Sequence, residues 1–178
     1  IDPNPHICKL LRLTQAMHGW RFNVAEVALS DKEGITQLSI PESYYGGASL
    51  NEIDSAFKIE SKVDVRTVTV DTLVKELGLP KVNVMKIDVE GLEERVFDGM
   101  KETIANNPGI KIIIEYTPAA YKNPAKFSQY LYDNFIVYRI KDVHEPTLLD
   151  ETDMKNMLDE LLRSGDHTDI YLVKDGSR

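Results

Sequence analysis

Two carboxylates lie two residues apart where an apolar segment ends, within the sequence VNVMKIDVEGLEERVFDGM (82–100). Asp88 and Glu90 follow a strand-like stretch and precede a segment with helical spacing. Carboxylates at such a junction can cap the following helix or interact with its positive end. They can also orient a hydroxyl group or act as a general base.

Lys86 and Gly91 favour the second interpretation. Residues two apart in a strand share a face, so Lys86, Asp88 and Glu90 are predicted to point the same way. A lysine in a buried strand is costly unless it is paired, and Asp88 is its nearest partner. Gly91 lets the backbone approach a ligand closely. The segment therefore predicts a polar site at the carboxyl end of a strand.

Length and composition exclude several classes. The chain has 178 residues, 42% hydrophobic and 28% charged, which predicts a single globular domain over 1–178. No apolar stretch approaches the ~20 residues that span a bilayer, so no membrane association is expected. The net charge of −8 argues against sequence-independent nucleic-acid binding. The lone Cys8 cannot form an internal disulfide, which indicates a cytoplasmic setting.

Strand and helix patterns alternate along the chain, which predicts an α/β fold with a mostly parallel sheet. Helices are predicted over 5–18, 71–79, 91–101, 124–135 and 151–163. Strands are predicted over 21–30, 35–40, 63–70, 82–87, 110–116, 136–140 and 169–174. Ligands bind such sheets at the carboxyl ends of the strands. The residues predicted to share that edge are Asp2, the stretch after Leu29, Asp88 and Glu115.

The segment around Asp88 resembles the S-adenosylmethionine-dependent methyltransferases of the FkbM family. Their signature is roughly a hydrophobic residue, Lys-Ile-Asp-Val-Glu-Gly-x-Glu, and then a hydrophobic residue and Gly. The matching residues are Lys86, Ile87, Asp88, Val89, Glu90, Gly91, Glu93, Val96, Phe97 and Gly99. VAEVALSDKEG (24–34) resembles the family's third strand, and IDPNP (1–5) resembles the stretch after its second strand.

This resemblance implies a class I, Rossmann-like methyltransferase sheet with a reversed C-terminal strand, and S-adenosyl-L-methionine as cofactor. An acidic residue after strand two binds the cofactor's ribose in this fold, and that role maps onto Asp2. Asn4 would lie near the adenosine, and Val27 and Ala28 would line the adenine. The alternatives are an Asx-turn before Pro3 for Asp2, and plain core packing for Val27 and Ala28.

Asp88 would lie beside the cofactor's methionine end and the methyl acceptor. Methyl transfer requires the acceptor to be positioned and can require removal of its proton. The candidates for these roles are Asp88, Glu90 and Glu115, with Lys86 tuning Asp88. The expected acceptor is a hydroxyl group of a small molecule or a sugar.

Other polar residues are less informative. Family members often carry His two residues after the Glu115 position, where this chain has Thr117, so no metal is assigned. His144 and His167 are expected to be solvent-exposed. The loop from Tyr44 to Ser49 either closes over the acceptor or is a surface excursion.

No strand with a Gly-rich cofactor loop precedes Asp2. The chain is therefore expected to be an N-terminally incomplete fragment that begins near the end of strand two. The strand predicted over 21–30 would then lack a neighbour for its backbone groups.

Two alternatives stay open. Asp88-Val89-Glu90 could bind a divalent metal in a nucleotide-sugar transferase. The chain could also be a non-catalytic, methyltransferase-like binding domain that presents an exposed apolar face to a partner.

Overall fold

The computed structural model describes residues 1–42, 59–141 and 145–174. The chain forms two compact units, Ile1–Thr69 and Val70–Arg178, and each contains one sheet. The predicted loop from Tyr44 to Ser49 and His144 lie outside the described residues. None of the helices in the described ranges combines the length and apolarity needed to cross a bilayer.

The first unit begins with a helix whose ends follow ordinary capping rules. Its elements are α1 (Pro5–His18), β1 (Ala28–Leu29), β2 (Gly34–Pro41) and β3 (Ile59–Val68). The Asn4 side chain accepts the His6 N–H at 3.0 Å, and Gly19 ends the helix with φ +65°. The predicted helix over 5–18 is confirmed.

The strand predicted over 21–30 is wrong for most of its length. Only Ala28–Leu29 form a strand, parallel to β3, and β3 pairs antiparallel with β2 on its other side. Before Ala28 the backbone has a different partner, because the Ala25 carbonyl accepts the Asp2 N–H at 3.1 Å. Ala28 then contributes to the apolar core of the unit with Leu38, Ile40 and Val65.

The second unit carries helices on a five-stranded sheet. Its helices are α2 (Val70–Glu76), α3 (Glu93–Asp98), α4 (Lys101–Asn106), α5 (Pro124–Asn134) and α6 (Glu151–Ser164). Its strands are β4 (Val84–Ile87), β5 (Lys111–Tyr116), β6 (Ile136–Ile140), β7 (Thr147–Leu148) and β8 (Thr168–Val173). The strand order is β4-β5-β8-β6-β7.

Strand β8 runs antiparallel to both of its neighbours, β5 and β6, as predicted for a reversed C-terminal strand. The prediction of a mostly parallel sheet is nevertheless wrong. Among the described strands only the β1–β3 and β4–β5 pairs are parallel, and the other four pairs are antiparallel. Two antiparallel pairings arise because β8 lies between β5 and β6, and the other two, which were not predicted, join β2 to β3 and β6 to β7. The fold is an α/β fold with mixed sheets.

Burial of the five-stranded sheet is one-sided. In β5 the side chains of Ile112, Ile114 and Tyr116 are buried, whereas Lys111 is exposed and Glu115 is only half-buried. Although 110–116 is nearly all apolar in sequence, the strand is therefore fully buried on one face only. The buried face packs against helices whose aromatic rings meet edge to face, including Phe97, Phe127, Tyr130 and Phe135.

The helix predicted over 91–101 is shorter than expected, because α3 ends at Asp98, and a separate helix, α4, begins at Lys101 and runs to Asn106 beyond the predicted range. Asp71 lies in the first turn of α2. Its carboxylate caps α4, where it accepts the Thr103 N–H at 2.7 Å and the Glu102 N–H at 3.1 Å. The hydrogen bonds of Asp71 are therefore tertiary rather than local.

Candidate active site

A polar edge forms in the second unit where the carboxyl ends of β4 and β5 meet the amino end of β8. Lys86 pairs with Ile113 across β4 and β5, and Glu115 pairs with Asp169 across β5 and β8. We call this edge the rim. It comprises Lys86, Asp88, Glu90, Glu115, His167 and Asp169.

Lys86 and Asp88 form an ion pair on the rim, with Nζ and Oδ2 2.5 Å apart. The hydrogen bond to Asp88 raises the pKa of Lys86, and the carboxylates of Asp169 and Glu115 add to the increase. The predicted pairing is present, but the assumption that Lys86 is buried is wrong, since 60% of its side chain is exposed. Lys86 projects from the less buried face of the sheet, where water can solvate the ammonium group.

Glu90 occupies a tight turn directly after β4. Its φ of +54° lies in the left-handed region, which is unusual for a residue other than glycine, and Gly91 follows with φ +85°. Burial raises the pKa of the Glu90 carboxyl, the charges of Glu115 and Asp88 raise it further, and His167 lowers it. Glu90 therefore keeps its proton to a higher pH than an ordinary glutamate does.

The side chain of Glu93 supports this turn through a hydrogen bond. Its side chain is fully buried, and Oε1 accepts the Val89 N–H at 3.0 Å. The residue at the N-cap of α3 is Leu92, which has no side-chain cap, so Asp88 does not cap this helix. In the sequence, Glu93 is distinguished only as part of the family signature. Its burial was not predicted, because its position in the first helical turn suits a solvent-exposed acid equally well.

His167 joins the rim from the turn before β8. Its Nε2 lies 3.5 Å from Glu115 Oε1, and its Nδ1 lies 3.4 Å from Asp166 Oδ1. The expected exposure of His167 is confirmed, with 56% of the side chain accessible. Its contact with Glu115 was not predicted, because it depends on the register that pairs Tyr116 with Thr168.

The residues predicted to bind the cofactor's adenosine lie in the first unit. Asp2 Oδ1 accepts the Asn4 N–H at 2.8 Å, which is the Asx-turn alternative, and the buried Asn4 side chain caps α1. Val27 and Ala28 are buried. These observations give each residue a structural role, and their cofactor roles remain predictions. Asp2 belongs to a different unit from Asp88 and Glu115.

Within the described ranges, no three or more His, Cys, Asp or Glu side chains are arranged to hold a metal ion. The rim is instead a set of carboxylates balanced by the Lys86 ammonium and the His167 imidazole. Such an arrangement can hydrogen-bond a hydroxyl group and accept its proton.

Residues 1–169 match the family model of the methyltransferase FkbM domain. The chain belongs to the FkbM methyltransferase family. No curated protein and no solved structure gives a significant match.

Some residues of the rim belong to the sequence motif of the FkbM family. Lys86, Asp88 and Glu90 lie at the surface of the rim, whereas Glu93, the last acid of the same motif, is buried behind it. The family match favours a methyltransferase over the nucleotide-sugar transferase alternative. The motif therefore contains two kinds of acid, one available to a ligand and one enclosed by protein.

Proposed function

We propose that the protein is an S-adenosylmethionine-dependent methyltransferase that acts on a hydroxyl group of a small molecule or a sugar. The observation that carries this proposal is the rim. In a chain of the FkbM methyltransferase family, it brings Asp88, Glu90 and Glu115 to the adjoining ends of β4 and β5. When bound, S-adenosylmethionine supplies a methyl group on a positively charged sulfur atom.

The three carboxylates suit different tasks on the acceptor. Asp88 is held by Lys86 at 2.5 Å, so it is positioned to orient the acceptor hydroxyl by accepting a hydrogen bond. Glu90 has a raised pKa, which makes its carboxylate a better proton acceptor than an ordinary glutamate near neutral pH. Glu115, which has the His167 imidazole beside it, contributes to the balance of charge around Asp88 and Glu90.

Bound S-adenosylmethionine would supply its methyl group to the acceptor oxygen and leave as the neutral thioether, S-adenosylhomocysteine. Glu90 would take up the proton that the acceptor hydroxyl releases. Lys86 stays protonated throughout and keeps Asp88 in place.

The proposed adenosine-binding residues are Asp2, Asn4, Val27 and Ala28. One oxygen of Asp2 already accepts the Asn4 N–H. A carboxylate has about four lone-pair positions, so Asp2 retains the capacity to accept hydrogen bonds from two ribose hydroxyls. This acceptor capacity fits the two hydroxyl donors of the ribose of S-adenosylmethionine.

Calorimetric titration of the 178-residue chain with S-adenosylhomocysteine tests the proposal. We expect micromolar binding by the wild type and loss of binding in Asp2→Ala. Asp64→Ala is the matched control, because Asp64 is an exposed residue of β3 in the same unit, and it should bind like the wild type. Absence of binding by the wild type would refute the proposal for this chain and favour a non-catalytic binding domain.

A further inference from the structure

Glu93 has an unusual environment for a carboxyl group. Its side chain has no exposed surface. Among the described residues, its Oε2 is the single buried side-chain oxygen or nitrogen without a hydrogen-bond partner. Burying a carboxyl group in this way is costly, so its presence calls for a compensating role.

Capping of α3 does not explain the burial. Glu94 lies in the same helical turn, where an acid interacts favourably with the helix dipole. Glu94 also accepts the N–H groups of Lys122 and Asn123 at 2.9 and 3.3 Å while it remains partly exposed. An acid at this end of the helix therefore has no need to be buried.

Glu93 lies between two segments of the chain that adjoin the rim. On one side its Oε1 accepts the N–H of Val89, the residue between Asp88 and Glu90. That bond holds the turn in which Glu90 adopts φ +54°. A strained backbone of this kind persists where surrounding groups hold it in place.

On the other side lies Tyr121, a buried residue that follows β5. Its hydroxyl accepts the Thr117 N–H at 2.9 Å and lies 3.5 Å from the carbonyl oxygen of Glu115. Burial raises the pKa of Tyr121 and the charge of Glu93 raises it further, so the Glu93 carboxyl and the Tyr121 hydroxyl lie close together. Glu93 and Tyr121 together connect the turn after β4 with the end of β5.

We propose that Glu93 is a positioning residue that, with Tyr121, holds the Asp88–Gly91 turn against the end of β5 so that Glu90 and Glu115 keep their relative places. The inference rests on the proposed function only in taking the rim as the place where the acceptor is held. Glu93 itself touches neither cofactor nor acceptor.

Two substitutions of similar volume separate this role from simple packing. Glu93→Gln keeps a side-chain oxygen that can accept the Val89 N–H, whereas Glu93→Met fills the same space without an acceptor. Amide hydrogen exchange of the full chain, followed by NMR, reports on this bond directly. We expect Glu93→Met to accelerate exchange at Val89 about tenfold or more. Glu93→Gln should stay near the wild type, and the core amides of Ile112 and Ile114 should be unaffected in both variants.

The ring resonances of His167 report on the rim in the same samples, because His167 lies 3.5 Å from Glu115 and acts on Glu90. We expect these resonances to shift in Glu93→Met and to keep their wild-type positions in Glu93→Gln. Glu94→Met is the control, since Glu94 shares the helical turn but does not contact Val89. Unchanged Val89 exchange or unchanged His167 resonances in Glu93→Met would overturn the proposal.

Calorimetry with S-adenosylhomocysteine distinguishes failure of this inference from failure of the proposed function. If the wild type does not bind, the proposed function fails, while the Val89 and His167 measurements still decide the role of Glu93. If the wild type binds and methyl transfer to an acceptor is found, Glu93→Met should lower kcat and leave the affinity for S-adenosylhomocysteine within a few-fold. An unchanged kcat with a displaced rim would refute the positioning role.

Discussion

The Glu115 carboxylate lies 3.5 Å from Nε2 of His167, across the paired ends of β5 and β8. Partial burial is the largest cause of the raised pKa of the Glu90 carboxyl; Glu115 raises that pKa further and His167 lowers it. Residues of segments that are distant from Glu90 in sequence therefore modify the protonation of this side chain in the turn after β4.

Substitution of either neighbour should move the pKa of Glu90 in a known direction. Glu115→Gln removes a negative charge and should lower it, whereas His167→Gln removes a partial positive charge and should raise it. A ¹³C NMR titration of the Glu90 carboxyl measures both changes. The control is Glu102→Gln, which removes the charge of an exposed side chain of α4. Equal titration curves in all variants would show that these residues do not act on Glu90.

Glu90→Gln should slow methyl transfer by about 10²- to 10⁴-fold, because it removes the proposed proton acceptor. The affinity for S-adenosylhomocysteine should change little, since the proposed role concerns the acceptor. Rates are measured by transfer of a labelled methyl group to an accepted hydroxyl compound. Asp98→Asn on α3 is a control that removes an exposed carboxylate of the same unit. A Glu90→Gln rate close to that of the wild type would assign the base to another group.

The buried Glu93 should make stability depend on pH. Burial raises its pKa above the ordinary value of 4.5, so the folded protein retains this proton at pH values where the unfolded chain has released it. The free energy of unfolding therefore falls as pH rises from about 4.5 through the raised folded value. Glu93→Gln cannot release a proton, so it should gain stability relative to the wild type over the same interval.

Urea unfolding between pH 4 and pH 8 measures this difference. Glu94→Gln, one position further along α3, is the matched control for loss of a carboxyl group from the same helical turn. A stability difference between Glu93→Gln and the wild type that stays constant with pH would contradict the assignment.

Asp71→Ala should destabilise the second unit by about 1–2 kcal/mol, because α4 loses the carboxylate that accepts its first free N–H groups. Urea unfolding monitored by circular dichroism gives the change. Asp159→Ala, at an exposed position of α6, corrects for the helix propensity gained by any change from Asp to Ala. Equal stability of the two variants would mean that the tertiary cap contributes nothing.

Elements with strong local patterns could be predicted from the sequence to within one or two residues. Helix α6 has an apolar stripe, the Asp150 capping box and the closing Gly165, so its bounds follow from local chemistry alone. The strand over 136–140 matched the prediction fully. Where backbone partners come from distant segments, as at Ala25 and Asp71, the local pattern was misleading.

The candidate site was predictable only in part for the same reason. The Lys86–Asp88 contact follows from the spacing of two residues along one strand. The contact of His167 with Glu115 and the approach of Tyr121 to Glu93 depend on strand register and on the path of the chain after β5. No short-range pattern encodes those relationships, so His167 appeared to be an ordinary surface histidine.

The central place of β8 has a consequence for how the protein is made. Strands β5 and β6 are both translated before residues 168–173, yet each has β8 as its antiparallel neighbour. Until those residues leave the ribosome, β5 and β6 expose unpaired N–H and C=O groups along an open side. We expect the nascent chain to be most prone to aggregation during this interval, because domains generally fold only when their last partner strand is available. Among the described strands of the sheet that carries the rim, β8 is the last to be translated, so the sheet cannot be completed before it.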